Sequence, residues 1–596
     1  MVRVYRVILG AAWEAAAGRT TALFVGAGVI AVLTAVSGLA TKWVVDALAE
    51  GDGGRALVMG AGYLALVATS SLLEDLTGGV LQAEVGERVS HTVEQRLMVV
   101  SAAAPGLEHL ERPEFADKVK LVKDRSFIPY FAFTNLNALA AVVIGLVASV
   151  LLLGFVHPYL MLMPVVAVPG VMLQFRAYRR HFARYDRTAA EERLATHYLE
   201  LLTTPAAAKE VRLFGLGSHI IDRHRRVTDA YIRTLLHDQL RRSAAGLLSG
   251  ALYGVAAAGA IAYLGRLALD GRASLGDVAL GVQVVRMALA DVQGGTRQAA
   301  WLAELSFVGE RYLWLLDYRP DLRVVPPEDA VPAPDTITTG ITVEDVSFTY
   351  PGTSKPVLQG VSLFLPAHST VALVGENGAG KTSLVKLLAR FYDPTEGRIL
   401  VDGVDLGHLD LDGWRQRAGV AFQDFVRFQL VAREAVGVGD LPAVDDLDRV
   451  GGSASAAGAD RVIDRLPDGF DTQLGRTFAG GVDLSEGEWQ RVALARGLMR
   501  PAPALLVLDE PTASLDPRVE HEVFERFAAM TRRGDAGAPV TLLVSHRFST
   551  VRMADLIVVL HDGRIEELGS HDELMAAGGR YAQLFRLQAS RYQDGA

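Results

Sequence analysis

Gly375-Glu376-Asn377-Gly378-Ala379-Gly380-Lys381-Thr382, followed by Ser383, sets three glycines, a lysine and two hydroxyls in a spacing that can cradle phosphate. The glycines let consecutive backbone N–H groups turn toward an anion at a helix N-terminus. Lys381 reaches the β- and γ-phosphates of a nucleotide, and the Thr382 hydroxyl suits Mg²⁺. The flanks fit this use, because the apolar run Val371-Ala372-Leu373-Val374 precedes the loop and a helical pattern, Leu384 to Leu388, follows it. A second apolar run, Ala504 to Leu508, ends in Asp509-Glu510. In a parallel α/β sheet, ligands sit beyond the strand carboxyl ends, so these two carboxylates are expected to face the phosphate loop. Asp509 suits a Mg²⁺-linked water, and Glu510 suits the base that polarises an attacking water.

The elements that must position these groups lie in the second half of a chain of 596 residues, a length that predicts several domains. Half of the residues are hydrophobic and 21% are charged, which excludes a disordered chain and points to a membrane. There is no cysteine, so disulfides, Cys-based zinc sites and thiol nucleophiles are excluded. Residues 1–335 carry a net charge of +1 and the remainder −10. Neither half has the basic footprint of a nucleic-acid binder, so no nucleic-acid partner is expected.

The first half reads as membrane-spanning. Thr20 to Thr41 is 22 residues without a charge, about 33 Å as a helix against a hydrocarbon core of about 30 Å. A signal peptide is the alternative, but no small-residue cleavage site followed by a soluble pattern appears. Further uncharged runs extend from Ala56 to Leu73, Ser126 to Phe175 and Ser243 to Gly265. The 50-residue run is too long for one crossing, and His157-Pro158 near its middle predicts two helices joined by a short turn. A sixth span starts near Ser274, interrupted by Asp277, Arg286 and Asp291. Arg176 to Arg242 has 14 basic and 8 acidic residues, against two and three in the link Lys42 to Arg55, so both termini are expected in the cytoplasm of a cell with this protein in its plasma or inner membrane. Breaks at Pro105-Gly106 and Thr203-Thr204-Pro205 interrupt the long cytoplasmic extensions; each could start a short transverse helix or be a simple hairpin turn. A Pro-rich linker, Val325 to Pro334, closes this half.

The run Val482-Asp483-Leu484-Ser485-Glu486-Gly487-Glu488-Trp489-Gln490-Arg491 resembles the LSGGQ signature of the ATP-binding cassette (ABC) transporters. With six spans fused ahead of a nucleotide domain, the whole chain is similar to an exporter-type half-transporter. The fold the resemblance implies is multi-domain: an all-α six-helix transmembrane domain over residues 1–335, and an α/β P-loop NTPase domain with an α-helical subdomain over 336–596. It also implies ATP and Mg²⁺ as cofactors and residue roles beyond the phosphate loop. Tyr350 would stack on adenine, and Gln423 would contact Mg²⁺ and sense the membrane domain. Ser485 and Gly487 would face ATP on the partner subunit. Asp516 would make a dimer contact and His546 would touch the γ-phosphate. The two breaks would become coupling helices near Arg112 to Lys118 and Lys209 to Gly215. The implied activity is ATP-driven export by a dimer, a second copy of this chain or a related half-transporter, with lipid, peptide or small-molecule cargo. An ATP-gated channel is the competing activity. Glu486 and Glu488 depart from the family's glycine and glutamine; a Glu aimed at phosphate would repel it, whereas one turned outward would cost little. Glu74, Asp75, Arg286 and Asp291 are charged candidates for a substrate path, or else mark helix ends and internal ion pairs. Asn135, Asn137 and Tyr263 could line a cavity or bond between helices.

Overall fold

The computed structural model describes the chain apart from residues 1, 125–127, 321, 512–537, 546 and 594–596. It divides into two compact units, Met1–Ser101 with Asp117–Tyr318, and Ala102–Ala116 with Arg319–Ala596.

The first unit is built from six long helices among the described residues: Val2–Ala49, Gly53–Glu74 continuing to Ala103, Ile128–Val156, Met163–Thr203, Gly217–Leu269 and Leu275–Leu316. Four of them, the first three and Gly217–Leu269, are long and apolar enough to cross a membrane by length and composition. The other two fall short for visible reasons. A 3₁₀ turn at Pro158–Leu162 shortens the apolar start of Met163–Thr203, and Asp277, Arg286 and Asp291 interrupt Leu275–Leu316. The first helix breaks at Ala16, separating a short N-terminal piece from the apolar stretch that follows. The second passes through a π-helical stretch at Asp75–Leu81, where the apolar run gives way to charged residues.

Small residues on one helix admit large ones from another inside this unit. Val4, Ile8, Leu23, Val85, Phe133, Leu305 and Val308 share one buried cluster, and Leu153, Tyr253, Leu264, Leu280 and Val284 another. Outward-facing residues stay apolar too: Phe155, Leu247 and Val255 are 85, 76 and 75% exposed, as lipid-facing side chains are. Lys42 pairs with Asp277, and Ser274 with Asp277 forms a capping box that starts the last helix.

In the second unit two sheets meet. An antiparallel sheet has the order β2-β1-β4-β5, made of β1 (Gly340–Phe348), β2 (Leu358–Pro366), β4 (Glu396–Val401) and β5 (Val404–Asp405). The larger sheet has the order β10-β9-β3-β8-β7-β6, made of β3 (Thr370–Gly375), β6 (Ala418–Ala421), β7 (Leu505–Asp509), β8 (Val540–Val544), β9 (Leu556–His561) and β10 (Arg564–Gly569). β3, β6, β7, β8 and β9 run parallel and β10 closes the edge antiparallel. β7 and β8 are buried along their whole length, so they read as unbroken apolar runs, not alternating ones. Helices between Ala432 and Gly497 form a separate apolar cluster around Trp489, Val492 and Ala454.

The Pro-rich stretch is not a free linker. Val331 N–H donates to His408 O at 2.9 Å, Asp410 N–H donates to Val331 O at 2.7 Å, and Arg417 pairs with Asp335. At the start of β1, Asp402 accepts from the N–H groups of Thr338, Thr339 and Gly340 at 2.8, 2.7 and 3.0 Å and from the Thr338 hydroxyl at 3.1 Å. Burial works to raise its pKa, but these bonds together hold it below the ordinary carboxylate value. Because the folded value is depressed, its contribution is present above the unfolded value of about 3.9 and is lost as pH falls through the folded one. Asp402→Asn is therefore expected to melt below wild type at pH 7, with the gap closing under pH 4. A gap that is constant from pH 7 to 3 would refute this.

Candidate functional site: a phosphate loop facing two carboxylates

β3 ends at Gly375, and the chain turns through a tight loop into the helix Lys381–Leu388. Gly378 and Gly380 hold φ of +85° and +103°, values open to glycine; a Cβ on Gly380 would also come within 2.6 Å of Leu358 Cδ2 and 3.0 Å of Val357 O. Within the loop, Ala379 N–H donates back to Glu376 O at 3.2 Å, tightening the turn before Lys381. Lys381 is 7% exposed, and its ammonium donates to the carbonyls of Gly375 and Glu376 at 2.8 and 3.0 Å. Burial lowers its pKa, against the pull of Glu510 and Asp509, which raise it.

β7 and β3 flank β8, so β7 delivers Asp509 opposite the loop. The Thr382 hydroxyl donates to Asp509 Oδ2 at 3.1 Å, while Asp509 Oδ1 is buried with no hydrogen-bond partner among the described residues. Burial pushes the Asp509 carboxyl up to about 6; Glu510 and Asp424 push the same way, and Thr382 and Lys381 oppose them. A buried carboxylate oxygen left without a donor, next to a threonine hydroxyl and a lysine, fits a divalent cation held against phosphate. Glu510 adopts φ +47°, left-handed for a non-glycine residue, which costs roughly 1–2 kcal/mol. Its N–H donates to Val544 O at 2.9 Å, and its Oε2 accepts from Gln423 Nε2 at 2.8 Å. Five groups anticipated from sequence, Lys381, Thr382, Gln423, Asp509 and Glu510, are thus brought together.

Tyr350 stands beside the loop helix, its hydroxyl 3.0 Å from Ser383 Oγ and its ring edge-on to Phe348 and Tyr392. Ser485 caps the helix Glu486–Gly497, with Gly487 in its first turn, and its bonds run to Glu488: both N–H and hydroxyl donate to Glu488 Oε2 at 2.8 Å. Burial raises the Glu488 pKa, but the Ser485 bonds and Arg465 outweigh it and hold it low. Asp516 and His546 lie outside the described residues.

Several residues that sequence reasoning missed complete this region. Gln490 Nε2 donates to Glu510 O at 3.1 Å, tying the helix behind Ser485 to the strand-end carboxylate. Arg580, from the last helix, pairs with Glu376 at 2.7 Å, and Arg427 pairs with Glu486. Nothing in local spacing marks these pairings, because each joins residues far apart in the chain.

The segment Ala102–Ala116 also folds into this unit. Arg415 Nη2 donates to Pro105 O at 2.5 Å, Leu107 N–H to Phe391 O at 3.4 Å and Leu322 N–H to Glu108 Oε1 at 3.5 Å, while Lys386 pairs with Glu111 at 3.1 Å. Its short helix is Glu108–Glu111, a few residues before the position anticipated near Arg112, because Pro113 already opens the next helix, Pro113–Asp124. At the other break, Pro205–Leu213 is a helix of the first unit.

Residues 358–513 match the family model described as ABC transporter. The subtilin transport ATP-binding protein SpaT of Bacillus subtilis is 25% identical over 528 residues, covering 88% of this chain and 83% of that protein. An ATP-dependent lipid A-core flippase of Syntrophus aciditrophicus is 34% identical over 65% of this chain and 62% of its own length, and one of Nitrosococcus oceani is 41% identical over 42% and 40%. Among solved structures, a bacterial Atm1-family ABC exporter with ATP bound superposes with a TM-score of 0.80 at 25% identity, covering 96% of this chain and 98% of that one.

Proposed function

Because this chain belongs to the ATP-binding cassette exporters, membrane-embedded ATP hydrolases with the helical unit fused ahead of the nucleotide-binding unit, we propose that it exports a hydrophobic or amphipathic peptide, lipid or drug-like molecule by alternating access of a dimer. The observation that carries this reading is the segment Ala102–Ala116. It folds into the nucleotide unit, while the chain on both sides of it, through Ser101 and from Asp117, belongs to the membrane unit. The chain thus leaves the helical unit after Ser101, joins the nucleotide unit and returns from Asp117, an arrangement suited to passing nucleotide-driven movement to a translocation path. An ATPase merely anchored by its first half would not need it.

In this reading the loop amides and Lys381 hold the β- and γ-phosphates, with Tyr350 beside the adenine. Thr382, Asp509 and Gln423 would hold Mg²⁺, which supplies charge neutralisation on the phosphates when bound. Glu510 takes a proton from the attacking water, and His546 would touch the γ-phosphate, as the family resemblance implies. Ser485 and Gly487 of one copy face the nucleotide of the other, and Asp516 joins the contact between copies. In this reading six crossings would put both termini on the cytoplasmic side of a plasma or inner membrane. A second copy of the chain is the first choice of partner, since Lys381, Glu510 and His546 are all present in the sequence; Glu486 keeps a related half-transporter open as the alternative.

The test is ATP-driven uptake of a panel of hydrophobic peptides and lipids into inside-out vesicles holding only this chain, alongside Glu510→Gln. Uptake by wild type and none by the variant supports the proposal. A passive flux that ATP binding opens in both proteins would replace export with gating. A pH dependence follows from Asp509: burial pushes its carboxyl up to about 6, and a cation needs the ionised form. Mg²⁺-dependent nucleotide affinity is expected to fall by up to about tenfold per pH unit below 6, whereas Mg²⁺-free binding changes little there. Equal pH profiles with and without Mg²⁺ would rule this out.

A further inference from the structure

The acidic residues of the signature do not stand alone. Asp483, Glu486 and Glu488 fall within six positions, and each has its own guanidinium: Arg476 at 3.0 Å from Asp483, Arg427 on Glu486 and Arg465 at 2.5 Å from Glu488. The Glu488 pairing lies within the capping box of Ser485, so that carboxylate is already committed to its own helix. Glu486 is different. It is the first residue of the helix, where a carboxylate meets any anion approaching the helix N-terminus, and only a side chain from elsewhere can hold it aside.

That side chain is aimed by the same helix it serves. Arg496, ten residues beyond Glu486, donates from Nη2 to Val426 O at 3.0 Å and from Nε to Ala435 O at 3.1 Å. Its guanidinium also lies over the Phe428 ring, 4.5 Å from the centroid. Both neighbours of Arg427 are thereby fixed to the helix Glu486–Gly497, leaving Arg427 directed back at its first turn. The segment carrying it begins at Gln423, whose amide bonds Glu510. One short stretch of chain thus touches the hydrolytic carboxylate at one end and the signature at the other.

We propose that Arg427 is a positioning residue for the signature, holding the Glu486 carboxylate on its own subunit so that the Ser485–Gly487 edge can receive the γ-phosphate of ATP bound to a second copy. This rests on the two-copy ATP arrangement proposed above. In a lone chain the pair is half-exposed, where such pairs contribute little. Its effect appears when a second copy closes over it and excludes water, because an unpaired carboxylate then sits against a polyanion in a medium of lower dielectric.

The test is a double-mutant cycle on the full-length chain in lipid nanodiscs, reading ATPase rate against ATP concentration at low and high salt. Arg427→Ala is expected to raise the KM for ATP about tenfold, with a smaller change in kcat. The part of the defect that arises as the copies approach, while the freed carboxylate still faces solvent, should shrink in high salt, which screens that charge. Arg427→Lys should recover most of the loss, and Arg427→Ala with Glu486→Gly should recover nearly all of it. A merely structural role would move neither the salt dependence nor the rescue. The inference is overturned if the double variant is as impaired as Arg427→Ala, or if Arg427→Ala matches wild type while wild type hydrolyses ATP cooperatively. A wild type whose hydrolysis shows no cooperativity, together with an unaffected Arg427→Ala, overturns the two-copy arrangement and the inference with it.

Discussion

Glu510→Gln is expected to lower steady-state ATP hydrolysis by about 10²–10⁴-fold while nucleotide still binds. The variant keeps the shape of the side chain and loses only its basicity. Glu510 is held by its backbone: N–H to Val544 O, carbonyl from Gln490, and a φ of +47° that the surrounding strands enforce. None of those restraints involves the carboxylate, so the substituted residue stays at the end of β7. The groups proposed to hold phosphate, Lys381 and the loop amides, are untouched. Gln423 then faces an amide oxygen that can still accept its hydrogen bond. Phosphate release and fluorescent-nucleotide binding, measured on one preparation, separate the two effects. Hydrolysis within tenfold of wild type would remove Glu510 from the role of base.

Arg390→Ala carries the largest expected stability loss. The Arg390 side chain is 1% exposed, at a position with φ +53°, and donates to the carbonyls of Leu409, Gly407 and Arg323 at 2.8, 2.7 and 2.9 Å, with Asp393 3.9 Å away. Burial lowers its pKa, against the raising effects of Asp393, Asp405 and Asp410, so the three carbonyls and the nearby carboxylates are what hold the charge there. Truncation leaves three buried acceptors unmet and a cavity, on the order of 3–5 kcal/mol together. For a unit of this size that is an apparent Tm lowered by roughly 10 °C. The neighbouring Arg415 donates both to Arg390 O and to Pro105 O, so the loss should also loosen Ala102–Ala116. Thermal inactivation of ATPase and protease cleavage near Pro105 would register both effects. A Tm within 2 °C of wild type would show that water replaces the guanidinium without penalty.

The parts of the site that obey short-range rules were legible in the sequence. Lys381 and Thr382 follow from glycine spacing between an apolar run and a helical pattern, and Asp509-Glu510 from an apolar run that ends in two acids. The turn at His157-Pro158 followed from proline chemistry, and it is where the 3₁₀ segment starts. What could not be read was whatever depends on pairing across the chain. The Pro-rich stretch has linker composition, yet Val331 and Asp335 are bonded to residues beyond 400. By contrast, the extension beyond the uncharged run Ala56 to Leu73 was legible: the helix continues through a π-helical stretch to Ala103, just before the break at Pro105-Gly106, because charged residues are no obstacle once the chain leaves the apolar layer. Whether Glu486 aims at phosphate or turns outward could not be read from the sequence, because its neutralising partner is 59 residues away.

The placement of Ala102–Ala116 bears on how the protein is made. Pro105 finds its partner Arg415 only 310 residues later in the chain. At the usual rate of about 5–20 residues per second, the ribosome needs roughly 15–60 seconds to supply that partner. During this interval Glu108, His109 and Phe115, each no more than 2% exposed in the finished fold, have no nucleotide unit to enter. The segment Ala102–Ala116 must therefore wait as an open, cleavable and chaperone-accessible loop. Its closure marks the moment when the ATPase has folded, so a quality-control protease acting on this loop would remove chains whose nucleotide unit fails, even when every membrane helix has inserted.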